Sequence, residues 1–516
     1  MNDYPTIFLR FVLIFNLQCL TVLSLLIGMG CSTQNSPIDI GSRLELMVDD
    51  FLIDQTLGSA KLTLQKPTEK EVVFTFDQPW EGNSSGYATI FKDGSIYRMY
   101  YRGQNWRGFN EQSTLFTCYA ESKDGINWER PNLDLVFFQG SKKNNIILSG
   151  EVSNTFVPFK DTNPNCNPEE RYKALAALSL PSKGLYSFAS SDGIHWQPMS
   201  KEPIITKGKF DSQNLAFWCN VNNRYLVFHR EMRGQDDEIR PGGLQLGLDE
   251  RGQARDVMTS SSLDFRYWTK PQWLQYPGSR REQIYLNQIR PYYRAPHILI
   301  GFPGRFMAGR EIEEGLPITK HPSYKFGSIS ETLFMTSRDG VHFKRWGEAF
   351  VRPGPRKERW IYPNTFSAYG LTVTEHPTQG MPNELSFYIN DGGYWTSGGT
   401  APQLCRYTLR IDGFVSLQAP LDGGEIVTKP IIFKGKQLTI NFSTSAAGSI
   451  KAEVQEVTGR PILGFALSDS TEKFGDHIRG VLKWKGNPDL SKLAGQPVRL
   501  RFVLSDADLY SFSFGG

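Results

Sequence analysis

The sequence is short of the residues that usually announce a reaction. It holds six cysteines and seven histidines in 516 residues. No CxxC pair and no HxxxH pair occurs among them. A zinc site is therefore not expected, nor a disulfide framework in so large a chain. Cys118 and Cys219 stand in apolar, strand-like runs and read as buried free thiols; Cys166 and Cys405 are isolated. No run of basic residues stands out, and 57 Lys and Arg nearly balance 53 Asp and Glu. Nucleic acid is a poor partner for such a surface. Sustained i, i+3, i+4, i+7 apolar spacing is scarce, which argues against helical domains.

What is abundant points the other way. There are 34 Phe, 21 Tyr and 11 Trp, with 48 Gly and 30 Pro. This mix favours short strands joined by tight turns. The one long apolar stretch, residues 11–29 (FVLIFNLQCLTVLSLLIGM), follows Arg10 and ends in GMGCSTQNS. A positive residue, an apolar run and small residues before a cysteine describe an export segment. The alternative is an uncleaved membrane helix, since the run is nearly long enough to span a bilayer. Both place the rest of the chain outside the cytoplasm.

One string recurs. SKDGINW, SSDGIHW, SLDFRYW, SRDGVHF and RIDGFVS carry Asp124, Asp192, Asp264, Asp339 and Asp412, at intervals of 68, 72, 75 and 73 residues. Between copies the chain repeats strand, turn, strand, loop, strand, as in GYATIFKDGSIYRMYYRG followed by STLFTCYAESKDGINW. Four short antiparallel strands per unit are a propeller blade. The expected fold is thus all-β: a five-bladed β-propeller over residues 42–420, then a β-sandwich over 421–516. The segment LELMVDDFLID (44–54) is expected to close the ring by pairing into the last blade. The repeated Asp-Gly reads as a hairpin turn rather than a site, and His195 and His342 as residues flanking it.

Chemistry is then sought in the less repetitive loops that lead into each first strand. Such loops, held on a rigid frame, are where binding and catalytic residues concentrate. The first unit offers Asp77 and Glu81 beside Trp80 and Asn83, carboxylates mixed with an aromatic and an amide that suit a sugar. The second offers Asp161, and the third Asp211 with Asn214, His229 and Arg230. The fourth offers Glu282, Asn287, Arg290 and Arg294; the fifth Arg359, Trp360, Asn364 and Asp391. Two carboxylates flanking a glycosidic bond can cleave it. The expected catalytic set is Asp211 with Glu81 or Asp77, and Asp391 in support. Trp80, Asn83, Asp161, Asn214, Arg230, Asn287, Arg290, Arg359, Trp360 and Asn364 would hold the sugar.

A propeller whose units carry S-x-D-G-x-x-W hairpins resembles glycoside hydrolases of the family 32 and family 43 type. FDQPWEGNSSGYATIF, FDSQNLAFW, PYYRAPHILIGFPGRF and the terminal PVRLRFVLSDADLYSFSF look like an uncharacterised family 32-like group of exported bacterial proteins. The family 32 nucleophile motif W-M-N-D-P-N-G is absent, so fructan cleavage is not implied. The resemblance implies an exported glycoside hydrolase with a carbohydrate substrate, no cofactor, and a monomeric state. The alternatives are a non-catalytic glycan-binding lipoprotein, a structural propeller, or a glycoside phosphorylase, for which Arg290, Arg294 and Arg359 would have to cluster. The start of the chain resembles a bacterial lipoprotein signal with Cys31 acylated, and Ser32 would direct it to the outer membrane.

Overall fold

A computed structural model describes residues 36–105, 114–234, 253–280, 282–308, 328–356, 359, 360, 362, 364–392 and 401–516. Among the described residues there is no α-helix, and no helix long and apolar enough to cross a membrane. The apolar segment at the start and Cys31 lie outside the described residues.

Five antiparallel units follow one another along the chain. Unit one is built on Gly86–Asp93, Ile96–Asn105, Thr114–Ser122 and Trp128–Glu129, with Ile146–Ser149 added beside the third strand. Unit two is Val157–Lys160, Tyr172–Leu178, Gly184–Ser190 and Gln197–Pro198. Unit three is Leu215–Cys219, Arg224–Arg233, Ala254–Ser262 and Gln272–Trp273. Unit four is Arg290–Tyr292, Ala295–Gly301, Met335–Ser337 and Phe343–Arg345, extended by a three-stranded sheet of Gln283–Ile284, Gly304–Ala308 and Ser328–Thr332. Unit five takes Thr372–Thr374, Glu384–Asp391 and Gln403–Arg410, and its fourth strand is Thr68–Thr75 from near the start of the chain. First strands such as LAFWC are buried along their whole length. A sheet covered on both faces has no polar side, so its strands read as short apolar runs instead of alternating ones.

The segment expected to close the last unit goes elsewhere. Ile53–Gly58 pairs with Gly424–Thr428, and Glu45–Leu46 with Arg499–Gly515. These belong to an eight-stranded C-terminal sheet that also takes Lys61–Leu64 and Val415–Ala419. Its two long strands, Gln437–Gln455 and Arg499–Gly515, run together with breaks in register at Asn441/Phe442 and Thr444/Ser449. The early strands enter because Ile40, Met47, Leu52 and Ala60 join the same apolar cluster as Phe442, Phe502 and Phe512.

The repeated string makes the same serine and aspartate turn bonds in four of its five copies; the fifth also turns, its Gly413 amide donating to the Arg410 carbonyl (2.9 Å). In the first, Ser122 Oγ accepts from the Gly125 amide (2.9 Å). Asp124 Oδ1 accepts from the Ile126 and Asn127 amides (both 2.8 Å). The same bonds recur at Ser190–Asp192, Ser262–Asp264 and Ser337–Asp339. His195 and His342 place Nδ1 2.7 Å from the Asp of their own turn. These turns seat units on one another. The Gly193 turn meets Tyr100 and Arg98 of unit one, and Gly340 meets Leu226 of unit three. Phe265 packs on Phe159 of unit two at 5.5 Å. The Gly125 carbonyl of unit one accepts from Tyr388 Oη of unit five at 2.6 Å.

The fifth copy is different. Asp412 is fully buried and accepts from Tyr292 Oη (2.6 Å), Arg294 Nη1 (2.6 Å), Ser511 Oγ (2.7 Å) and Asn441 Nδ2 (3.1 Å). It is the joint between unit four and the C-terminal sheet. The string resembles the others, but its carboxylate turns inward because the chain here leaves the repeat.

Candidate functional site

One cavity is lined by all five units. Its volume is about 250 Å³ and its walls are Ser85–Ala88, Arg102 and Gln104 of unit one, Asn154 ahead of unit two, Asp211 and Gln213 ahead of unit three, Tyr285 and Leu286 ahead of unit four, and Tyr362, Phe366–Ala368 and Asn390 of unit five. Most of these stand just before a first strand. Gly86 sits at φ 151° with its Cα side against the Asn390 amide, where an added Cβ would come within 3.1 Å of Oδ1. A side chain there would fill the cavity wall.

The floor is held by amides. Gln213 Nε2 donates to the Tyr87 carbonyl (3.0 Å), and Gln288 Nε2 donates to Gln213 Oε1 (2.8 Å) and the Ser367 carbonyl (2.7 Å). Units one, three, four and five are thereby fastened together. On the wall, Tyr362 Oη donates to Tyr285 Oη (2.6 Å), and the Tyr285 ring stacks on Phe366 at 5.4 Å. Arg102 lies 4.4 Å above the Tyr87 ring and donates to Asn154 Oδ1 (3.0 Å).

Asp211 is the carboxylate that lines this cavity among the described residues. Its side chain is 65% exposed and forms an ion pair with Arg230, itself 4% exposed. Burial works against the Arg230 charge, yet Tyr285 and Asp211 around it raise its pKa. Burial would also raise Tyr285, but the Arg230 guanidinium, 4.6 Å from its ring, brings the phenol below its ordinary range. Burial pushes Tyr87 well above its own. His229 is buried on the other side of that strand, and burial lowers its pKa to about 4.

The other sequence-predicted residues are dispersed. Glu81 is fully buried and accepts from Tyr101 Oη (2.5 Å), Arg130 Nε (2.8 Å) and the Gln78 amide (2.9 Å). It folds its loop down and is not on the cavity wall. Asp77 is 56% exposed beside Arg130 (3.5 Å), also off the wall. Trp80 is off the cavity wall, donating to Asn145 Oδ1 (2.9 Å) and packing T-shaped with Phe138; Asn83 is exposed on the same loop. Asp161 is buried, accepting from Lys173 Nζ (2.7 Å), Tyr225 Oη (2.6 Å) and the Asn163 amide (2.9 Å). Asn214 turns back to the Phe210 and Ser212 carbonyls (2.9 and 2.8 Å) and shapes the loop that presents Asp211. Asn287 is buried with Oδ1 on the Ile289 amide (3.3 Å), and the buried Asn364 has its carbonyl capped by Ser330 Oγ (2.6 Å).

The three arginines do not cluster. Arg290 lies 5.9 Å from the Tyr369 ring, and Arg294 pairs with Asp412. Arg359 grips Asp391 and Glu69, so Asp391 is an ion-pair partner, 8% exposed. Trp360 borders a second, larger cavity of about 620 Å³ between Glu282, Arg305, Glu331 and Arg345. There Glu282 pairs with Arg305 and Arg345, and Glu331 with Arg305, so its carboxylates are already engaged. Among the described residues no three His, Cys, Asp or Glu form a group able to hold a metal.

Sequence reasoning missed Tyr87, Arg102, Gln104, Asn154, Gln213, Tyr285, Tyr362 and Asn390. One signal was available: from Asp211, extended-chain parity points the same way at Gln213, not Asn214.

No family model matches the sequence. The uncharacterized proteins MT1551 and Rv1502 of Mycobacterium tuberculosis (strains CDC 1551 / Oshkosh and ATCC 25618 / H37Rv) are each 24% identical over 150 residues, 27% of this chain and 44% of theirs. The chain spans less than half the length of these curated relatives. Solved structures similar to it include a glycoside hydrolase (TM-score 0.41, 13% identity, 67% of this chain and 92% of that one). Another is an N-acetylgalactosamine deacetylase from F. plautii in complex with blood group B trisaccharide (TM-score 0.39, 13% identity, 72% and 94%).

Proposed function

We propose that this chain is an exported glycoside hydrolase. On this reading the five units are the blades of a closed propeller, followed by a sandwich. The bond is cleaved in the cavity at their centre. The contact of Tyr388 in unit five with the Gly125 turn of unit one supports closure. Residues 1–31 would direct export, with Cys31 carrying a lipid at the outer membrane, and the protein would act as a monomer.

The observation that carries the reading is the convergence of all five units on one cavity with, among the described residues, a single exposed carboxylate, Asp211, paired with Arg230. Aromatic walls and floor amides suit a sugar ring and its hydroxyls. A carboxylate held in an ion pair suits the part of nucleophile or of base for water. The second group of a two-carboxylate mechanism is not on the described wall. Tyrosine serves as nucleophile in some glycosidases, and Tyr285 and Tyr362 on this wall are the candidates for that function here. Asp211→Asn should lower turnover on a panel of plant and algal glycans by roughly 10²–10⁴-fold while binding persists. Unchanged turnover would overturn the assignment.

The single carboxylate also favours a second reading, a glycan-binding protein without catalysis. It requires that wild type and Asp211→Asn bind glycan alike and that neither yields a reducing end.

A further inference from the structure

Among the described residues, arginines outnumber carboxylates on and just behind the wall of the central cavity. Arg102 is on its wall; Arg230 and Arg255 lie 4.6 and 5.4 Å from the Tyr285 ring that forms another part of it. Arg255 donates to Gln283 Oε1 (2.7 Å), and Arg102 to Asn154 Oδ1 (3.0 Å) and the Ser84 carbonyl (3.0 Å), all neutral acceptors. Among the described residues neither arginine forms an ion pair. Among the described residues, one guanidinium on the wall, Arg102, and two behind Tyr285, Arg230 and Arg255, thus face a single carboxylate on the cavity wall, Asp211.

Donors are left over as well. Nε and Nη1 of Arg230, Nε of Arg102 and Nε of Arg255 are buried without a hydrogen-bond partner among the described residues. Burying guanidinium groups without counter-charge is costly, and the cost is recovered when an anion arrives. The like charge of Arg230, after burial itself, lowers the pKa of Arg255, so the two repel in the absence of an anion. Planar guanidinium groups match carboxylate and sulfate oxygens in pairs.

We infer that the cavity selects a sugar bearing an oxyanion, a uronate carboxylate or a sulfate ester, with the anionic group at Arg102 on the wall and in the field of the buried Arg230 and Arg255 behind it. The inference rests on the reading of this cavity as a glycan site and names its substrate class. Free inorganic phosphate offers the same oxygens, and the test separates it.

The full chain and its Asp211→Asn variant are titrated by NMR or calorimetry with D-galacturonate, D-glucuronate and galactose 6-sulfate, with D-galactose and D-glucose, and with inorganic phosphate. At least one acidic sugar is expected to bind tenfold or more tightly than its neutral counterpart. That preference should shrink between 50 mM and 500 mM salt and fall in Arg102→Gln. If Arg102→Gln does not fold, the salt dependence of the wild type reads the same charge. Equal or tighter binding of neutral sugars, binding of phosphate alone, or no binding of any probe overturns the inference. These free sugars have no glycosidic bond to cleave, so binding is read apart from turnover: an acidic-sugar preference stands on its own, and the hydrolase reading falls separately if the glycan panel yields no reducing ends.

Discussion

Arg359 reaches across 290 positions of sequence to Glu69, Nη1 to Oε2 at 2.9 Å and Nη2 to Oε1 at 2.7 Å. The same guanidinium holds Asp391 through Nε (3.0 Å) and Nη2 (2.8 Å), and Arg356 bridges the two carboxylates again. Glu69 is on Thr68–Thr75 and Asp391 ends Glu384–Asp391, so the clamp ties the early strand to the unit it completes.

Arg359→Met is expected to destabilise the protein by roughly 3–5 kcal/mol, because Asp391 keeps its charge in a buried place without its main partner. Glu69→Gln, on a more exposed side chain, should cost much less. Denaturant midpoints of the two variants measure the difference; equal midpoints would show that the clamp is not what holds the strand.

His229 gives a pH dependence whose sign can be worked out. It is buried, and burial lowers its pKa from 6.5 to about 4. The unfolded chain therefore binds the proton first as pH falls. Stability from this residue is complete above pH 6.5, declines toward pH 4 and levels off below it, a loss of about 3 kcal/mol over the window. His229→Gln should flatten that part of the profile in denaturation series at pH 7, 5.5 and 4.5. An unchanged slope would assign the loss to other groups.

Two glycines separate backbone strain from the seat between units. Gly94 and Gly193 have φ of 63° and 80°. A Cβ at Gly94 meets nothing within 4 Å, whereas at Gly193 it comes within 2.6 Å of Tyr100 Oη and 2.9 Å of Arg98 Nη1. Gly94→Ala should cost about 1–2 kcal/mol for left-handed backbone alone. Gly193→Ala should cost clearly more, read as a lower melting temperature. Equal losses would mean that the turn does not bear on unit one.

Asp412→Ala leaves Tyr292, Arg294, Ser511 and Asn441 donors facing an empty place. A loss of roughly 3–5 kcal/mol is expected, whereas Asp339→Ala in an exposed turn should lose far less. Parallel thermal melts decide it, and equal loss would make Asp412 an ordinary turn residue.

The strands and turns were legible because short apolar runs and Asp-Gly turns are local signals. Even SLDFRYW, with Phe265 in place of glycine at φ 65°, makes the same turn bonds. Judgements that depended on a distant partner were harder to make. Glu81 beside Trp80 reads as a sugar site until Arg130, 49 positions away, occupies it. Asp391 in NDGGYW reads as a site until Arg359 arrives from a different loop. RIDGFVS keeps the Asp-Gly of the repeat but has Arg410 where the other turns have serine and Ser416 where they have an aromatic residue, and Tyr292 and Ser511 decide where its carboxylate points. The cavity wall was half legible for the same reason. The loops before first strands could be named, but which side chain faces inward follows from packing.

The borrowed strand also sets the order in which the molecule can be made. Glu71 and Arg406, partners across the last unit, are 335 positions apart. At 5–20 residues per second, roughly 15–70 s of synthesis separate them. Through that interval Thr68–Thr75 has no sheet to join. Its first four residues, TEKE, are charged or polar and mostly exposed even in the finished protein, which suits an unpaired edge that must not find another chain. Assembly of the last unit is thus a late, long-range event, and a chain stalled before Gln403 would carry a strand waiting for its neighbour.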